Sequence, residues 1–178
     1  MQERPPTANS RSPKEEVPHE YYMTLALDLA RKAAARGETP VGALIVQGGT
    51  IIGSGYNRVE ADNDPTAHAE ITALREAAKN NSDWRLSEAT IYATLEPCIM
   101  CAAALVHARV KRLVFASRDH RWGGFGSLFD LSHDPRVNHE IEVVSGVMEE
   151  EAAQLLQDFF RNLRQERELR AQERRVNQ

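Results

Sequence analysis

The stretch ATIYATLEPCIMCAAALVHA, residues 89–108, decides how this chain folds. Ala89–Leu95 is rich in β-branched and aromatic residues, carries no charge and reads as a strand. Glu96-Pro97 closes it, because proline has no backbone N–H to continue a ladder. The small-residue run Cys98–Ala108 then reads as a helix, with both cysteines in its first turn. Their spacing of three puts both sulfurs on one face.

Outward from this core the same alternation holds. Downstream, Val110–Ala116 and Glu140–Val144 read as two more strands, and a terminal helix begins near Glu149 and runs past Leu169. Upstream, a first helix spans about His19 to Arg36, with Leu25, Ala26, Leu29, Ala30 and Ala33 on an apolar face and Gly37 as its stop. Val41–Val46 and Ile51–Tyr56 form a hairpin across Gln47-Gly48-Gly49-Thr50. Asn57 opens a polar loop ending in Asp64-Pro65-Thr66, which starts a second helix running to about Lys79. Alternating helices and strands predict an α/β fold: a three-layer α/β/α sandwich around a central mixed five-stranded sheet. There are no internal repeats.

Length and composition bound the rest. At 178 residues the chain is most simply one domain, here residues 19–178, ending in the long helix. Residues 1–18 are polar, hold four of the eight prolines and read as a disordered leader. They lack the apolar core of a signal peptide, and no apolar run approaches the roughly 18 residues of a membrane span. Two cysteines and no disulfide framework fit a reducing, cytoplasmic setting. A net charge of −4 argues against a general nucleic-acid binder. From Arg161 to Gln178, however, six arginines face three glutamates. That segment either steers one end toward phosphates or is a solvated face with ion pairs such as Glu166–Arg170; the second reading is favoured for the helix taken alone.

His68-Ala69-Glu70 supplies the partner of the two cysteines. One histidine and two thiolates are the donors that Zn²⁺ prefers, and three protein ligands leave a fourth position for water, the mark of a catalytic site. Glu70 is surplus to that count and stands where a proton shuttle is needed. A redox Cys-x-x-Cys pair would not need an upstream His-x-Glu. A structural zinc would want a fourth Cys or His beside either half-motif, and none is there. Helix N-termini would stabilise thiolates at such a centre. His107, His133 and His139 read as hydrogen-bonded surface or interface residues rather than a second metal site.

His-x-Glu followed by Pro-Cys-x-x-Cys is the pattern of zinc-dependent nucleobase deaminases. Read with its flanks, the chain resembles the bacterial tRNA-specific adenosine deaminases of the cytidine/deoxycytidylate deaminase superfamily. The matching residues are His19–Met23, Pro40–Ala43, Asn57-Arg58, Asp64–Ile71, Thr94–Cys101, Gly126–Leu128, Asn138-His139 and Phe159-Phe160. Coverage runs from about residue 19 to 165. The resemblance implies a homodimer that converts adenosine to inosine at the wobble position of a tRNA anticodon, principally that of an arginine tRNA. It implies zinc held by His68, Cys98 and Cys101, with Glu70 as shuttle. It further implies that Asn57 reads the flipped base beside the Ala69 backbone, and that Asp119 contacts the anticodon loop.

One stretch departs from the family. Asp119-His120-Arg121-Trp122-Gly123-Gly124-Phe125-Gly126-Ser127 keeps a charge at Arg121 but carries two aromatics where small residues are usual. Arg121, Trp122 and Phe125 suit stacking on unpaired bases; the aromatics suit equally well packing under the loop or across a dimer interface. Two rival functions stand beside the main reading. A deaminase of a free nucleobase or nucleotide would use the same chemistry. A non-catalytic RNA-binding partner subunit would keep the zinc but not need Glu70.

Overall fold

Ten elements follow one another in the computed structural model, which describes residues 17–176. They are α1 (His19–Ala34), β1 (Gly42–Gln47), β2 (Thr50–Tyr56), α2 (Val59–Asp62), α3 (Ala69–Asn81), β3 (Ala89–Leu95), α4 (Ile99–His107), β4 (Arg112–Ser117), β5 (Glu142–Ser145) and α5 (Glu149–Val176). The expected leader lies outside the described residues except for its last two. The sheet order is β2-β1-β3-β4-β5. β1 pairs antiparallel with both β2 and β3, whereas β3-β4 and β4-β5 are parallel, so the five-stranded sheet is mixed as expected.

Side-chain alternation along the strands builds the three layers. Ala43, Ile45, Ile91, Ala93, Leu113 and Phe115 face α3 and α4, where Ala69, Ala73, Leu74, Ala77, Ala102 and Leu105 complete one apolar cluster. The intervening Leu44, Val46, Tyr92, Val114 and Ala116 face α1 and α5 and form a second cluster with Tyr22, Met23, Ala26, Leu27 and Ala152. In α1 the fully buried leucine is Leu27, while Leu25 and Leu29 are only half-buried. The stripe that meets the sheet is centred on Met23, Ala26, Leu27 and Ala30, a rotation from the face read off the sequence.

α3 lies unusually close to β2. A Cβ on Gly55 would come within 2.3 Å of the Ala69 carbonyl oxygen, and one on Gly53 within 2.4 Å of that of Ala73. Glycine in the strand and alanine in the helix together allow this approach, which sets how deep the start of α3 sits against the sheet.

Two helix starts differ from expectation. Asp64-Pro65-Thr66 does not open α3. The Asp64 carboxylate instead accepts from Thr66 N–H at 2.8 Å and from its hydroxyl at 2.7 Å, closing a separate turn. α3 begins at Ala69 with His68 as N-cap, and a short helix, α2, interrupts the loop after Asn57. Cys98 is likewise the N-cap of α4, not a residue of its first turn.

Candidate active site

β3 and β4 run parallel, and α4 leaves the carboxyl end of β3 through Glu96-Pro97. That end of the sheet is where α/β folds place ligands. α3 starts beside it, so the N-termini of two helices converge.

The convergence brings together one histidine nitrogen and two sulfurs. His68 Nδ1 lies 3.6 Å from Cys98 Sγ and 3.6 Å from Cys101 Sγ, and the three donors fall within 4.8 Å of one another. Zinc bound at about 2.0–2.1 Å to nitrogen and about 2.3 Å to sulfur, at a tetrahedral angle, sets those donors about 3.6 Å apart. The observed spacing therefore fits zinc without rearrangement. The Cys101 thiol hydrogen-bonds Cys98 and, with His68, holds Cys98 down to about 4, while the same hydrogen bond and burial raise Cys101. Its hydrogen bond to Cys98 raises His68. Zinc binds thiolates and neutral imidazole, so loading this site releases the protons that Cys101 and His68 hold.

Glu70 is one residue into α3, buried, and lines the cavity in front of the donors. Loss of hydration raises its carboxyl to about 7, with the neighbouring Cys98 adding to the rise. A group that gives up and takes back a proton near neutrality is what acid–base catalysis uses.

The cavity has a volume of about 930 Å³ and is open to solvent. Asn57, Glu70, Asp119 and Trp122 line it together with His68 and Cys98. Ala69 is fully buried between them and does not line the cavity. Arg121 is exposed and lines an adjoining groove rather than the cavity.

The two loop aromatics part company. Trp122 is 62% exposed at the cavity, whereas Phe125 is 4% exposed and packed in the cluster against α4. Packing under the loop holds for Phe125 and not for Trp122. His139 Nε2 donates to the Val110 carbonyl over 2.8 Å, His107 stacks on Trp84 and His133 lies 3.7 Å from Glu140. Among the described residues they form no second metal group.

Three contributors escaped the sequence reading. Glu38, 1% exposed, accepts from Asn57 Nδ2 at 3.0 Å and from the Ala61 N–H at 2.8 Å, so it holds a cavity side chain and caps α2 at once. Glu96, equally buried, fastens the 119–127 loop to the start of α4. Its carboxylate accepts from the N–H groups of Asp119 (3.1 Å), Phe125 (3.0 Å) and Ser127 (3.1 Å) and from the Ser127 hydroxyl. A Cβ on Gly123 would meet that carboxylate at 2.5 Å. Lastly, α5 closes one wall with Phe159, Phe160, Leu163 and Arg167. A glutamate before Pro-Cys and a double phenylalanine in a polar helix were the available signals.

The family described as "Cytidine and deoxycytidylate deaminase zinc-binding region" matches residues 16–117. The tRNA-specific adenosine deaminase of Haemophilus influenzae is 50% identical over 151 residues, covering 84% of this chain and 87% of that protein. The Bacillus subtilis protein of the same name is 46% identical over 148 residues, covering 83% and 92%. A solved structure from work on A-to-I editing by tRNA:A34 deaminases superposes with a TM-score of 0.74 at 42% identity, over 76% of this chain and 99% of the other. Guanine deaminase from Nitrosomonas europaea superposes with a TM-score of 0.68 at 25% identity, over 84% and 88%.

Proposed function

This chain belongs to the tRNA-specific adenosine deaminases, and from that premise we propose that it hydrolyses adenosine to inosine at the wobble position of a tRNA anticodon, principally that of an arginine tRNA. The observation that carries the reading is the meeting of His68, Cys98 and Cys101 at zinc-ligand spacing with the buried Glu70 beside them. The three hold zinc. When bound, zinc lowers the pKa of a coordinated water toward about 7 and so supplies the nucleophile at neutral pH.

The chain's own residues do the rest. Glu70 takes a proton from the attacking water and delivers it to N1 of the adenine as oxygen adds at C6. It then takes the proton of the new C6 hydroxyl and gives it to the amine, so that the C6 carbonyl forms as ammonia leaves. Asn57, fixed by Glu38, hydrogen-bonds the flipped base, with the Ala69 backbone beside it. Asp119 caps its own loop, accepting from the Arg121 N–H at 2.9 Å, and presents that loop to the anticodon. Trp122 stacks on a nucleotide next to the flipped adenosine, and Arg121 meets a phosphate. An anticodon loop already holds its bases partly unstacked, which keeps the cost of extrusion to a few kcal/mol.

The chain acts in the cytoplasm as a homodimer in this reading. Dimer formation draws support from the exposed apolar side chains of Leu128 and Phe129. No helix among the described residues is long and apolar enough to cross a membrane.

The test is a comparison of substrates. An anticodon stem-loop is expected to be deaminated far faster than free adenosine at equal concentration. Equal kcat/KM on the nucleoside, or turnover of guanine or cytidine, would favour the free-base reading that the guanine deaminase fold invites.

A further inference from the structure

Three cations meet on one tyrosine at the rim of the cavity. Tyr56 ends β2, the edge strand. The Lys32 ammonium stands 4.8 Å from its ring centroid, the Arg36 guanidinium 5.5 Å and the Arg58 guanidinium 5.7 Å. The Tyr56 hydroxyl accepts from Arg36 at 2.8 Å and from Arg58 at 3.1 Å. A phenol oxygen has two acceptor positions, so both are occupied and two guanidiniums from different segments are tied to one point. Arg58 is also held by Asp62 at 2.6 and 2.8 Å. Lys32 and Arg36 have no carboxylate within ion-pair distance among the described residues, and Asp28 of the same helix is taken by Arg31.

Simple composition does not account for this. The chain is acidic overall, yet here like charges crowd together with one acid for three cations. The carbonyl end of α1 favours Lys32 and Arg36 where they are. It does not explain why Arg58, from the far side of the hairpin, joins them. An anion would relieve the repulsion, and two guanidinium forks and an ammonium suit phosphate oxygens. The position also fits: Arg36 precedes Gly37-Glu38 and Arg58 stands between Asn57 and Val59, all of which line the cavity.

We propose that Lys32, Arg36 and Arg58, gathered on Tyr56, bind a backbone phosphate of the RNA strand next to the nucleotide that enters the cavity. The proposal rests on RNA being the substrate. It adds a positioning contact that lies outside the zinc centre and the 119–127 loop, and it carries register rather than base identity.

The test uses the full chain loaded with zinc and an anticodon stem-loop, with binding measured across a salt series. In the Lys32→Gln/Arg36→Gln double variant the slope of log affinity against log salt is expected to fall by about 0.7–0.9, the share of one neutralised phosphate. Affinity at low salt should drop about tenfold, with zinc content and Tm unchanged. A Lys79→Gln/Lys111→Gln variant removes the same charge at the other end of α3 and before β4, and is expected to keep the original slope. An unchanged slope in the Lys32/Arg36 variant, or an equal fall in the control pair, overturns the proposal. If the RNA reading itself is wrong, the unaltered chain will neither bind nor deaminate the stem-loop, a result seen before any variant is made.

Discussion

Glu38 accepts a hydrogen bond from Asn57 Nδ2 at 3.0 Å, and both side chains are buried at the cavity wall. A carboxylate only accepts, so this contact decides which end of the asparagine amide faces which way. The second N–H of Asn57 and its oxygen are left for a ligand. A residue far from Asn57 in sequence thus orients the amide that is proposed to meet the base.

Replacing Glu38 with Gln puts an NH₂ group where the structure offers only donors, from Asn57, Ala61 and Glu60. An unsatisfied buried donor costs about 1–3 kcal/mol. Glu38→Gln should lower Tm and reduce kcat/KM on a stem-loop by about tenfold or more, with zinc content retained. Full activity in that variant would show that Asn57 needs no such support.

Metal and fold are coupled in the second expectation. Cys98→Ser and Cys101→Ser should each lose zinc and stability together, because ligand binding free energy at such a centre is partly folding free energy. Removal of the metal by a chelator should lower Tm in the unaltered chain and leave both variants little changed. Full zinc occupancy in either variant would show that the ligand set is wrong.

Trp122 and Phe125, three residues apart, are expected to respond in opposite ways. Trp122 is largely exposed, so Trp122→Ala should leave Tm nearly unchanged and weaken stem-loop binding about tenfold to a hundredfold, the range of about 1–3 kcal/mol for base–aromatic stacking. Phe125→Ala should instead destabilise the chain by about 3–5 kcal/mol, as emptying a buried aromatic site does. Unchanged RNA affinity with a weakened dimer in Trp122→Ala would place that ring in a subunit interface.

How far the sequence could be read follows from the range of each signal. The strands and the helix at residues 89–108 were legible because their patterns are local: β-branched residues up to Leu95, a proline, then small residues. The His68, Cys98 and Cys101 group was legible because metal ligands need fixed residue types at fixed spacing. Glu38 and Glu96 were not, since nothing local distinguishes a buried acceptor of distant N–H groups from a surface glutamate. The start of α3 was misplaced for a related reason. Asp64-Pro65-Thr66 is good helix-start chemistry, but the Asp64 side chain was spent on its own turn, and the helix waited for His68. Which of Trp122 and Phe125 would be buried depended on the glycine pair packing on Glu96 and Ala102, which is a tertiary fact.

In the proposed reaction Glu70 moves protons at the zinc centre and is not one of its ligands. Inosine formation in an anticodon stem-loop by Glu70→Ala protein, with zinc content determined on the same sample, decides this. About one zinc per chain with no detectable inosine is the result expected from three ligands at His68, Cys98 and Cys101 and a separate carboxylate. Zinc lost along with activity would move Glu70 into the coordination shell, and inosine formed at an undiminished rate would remove it from the chemistry altogether.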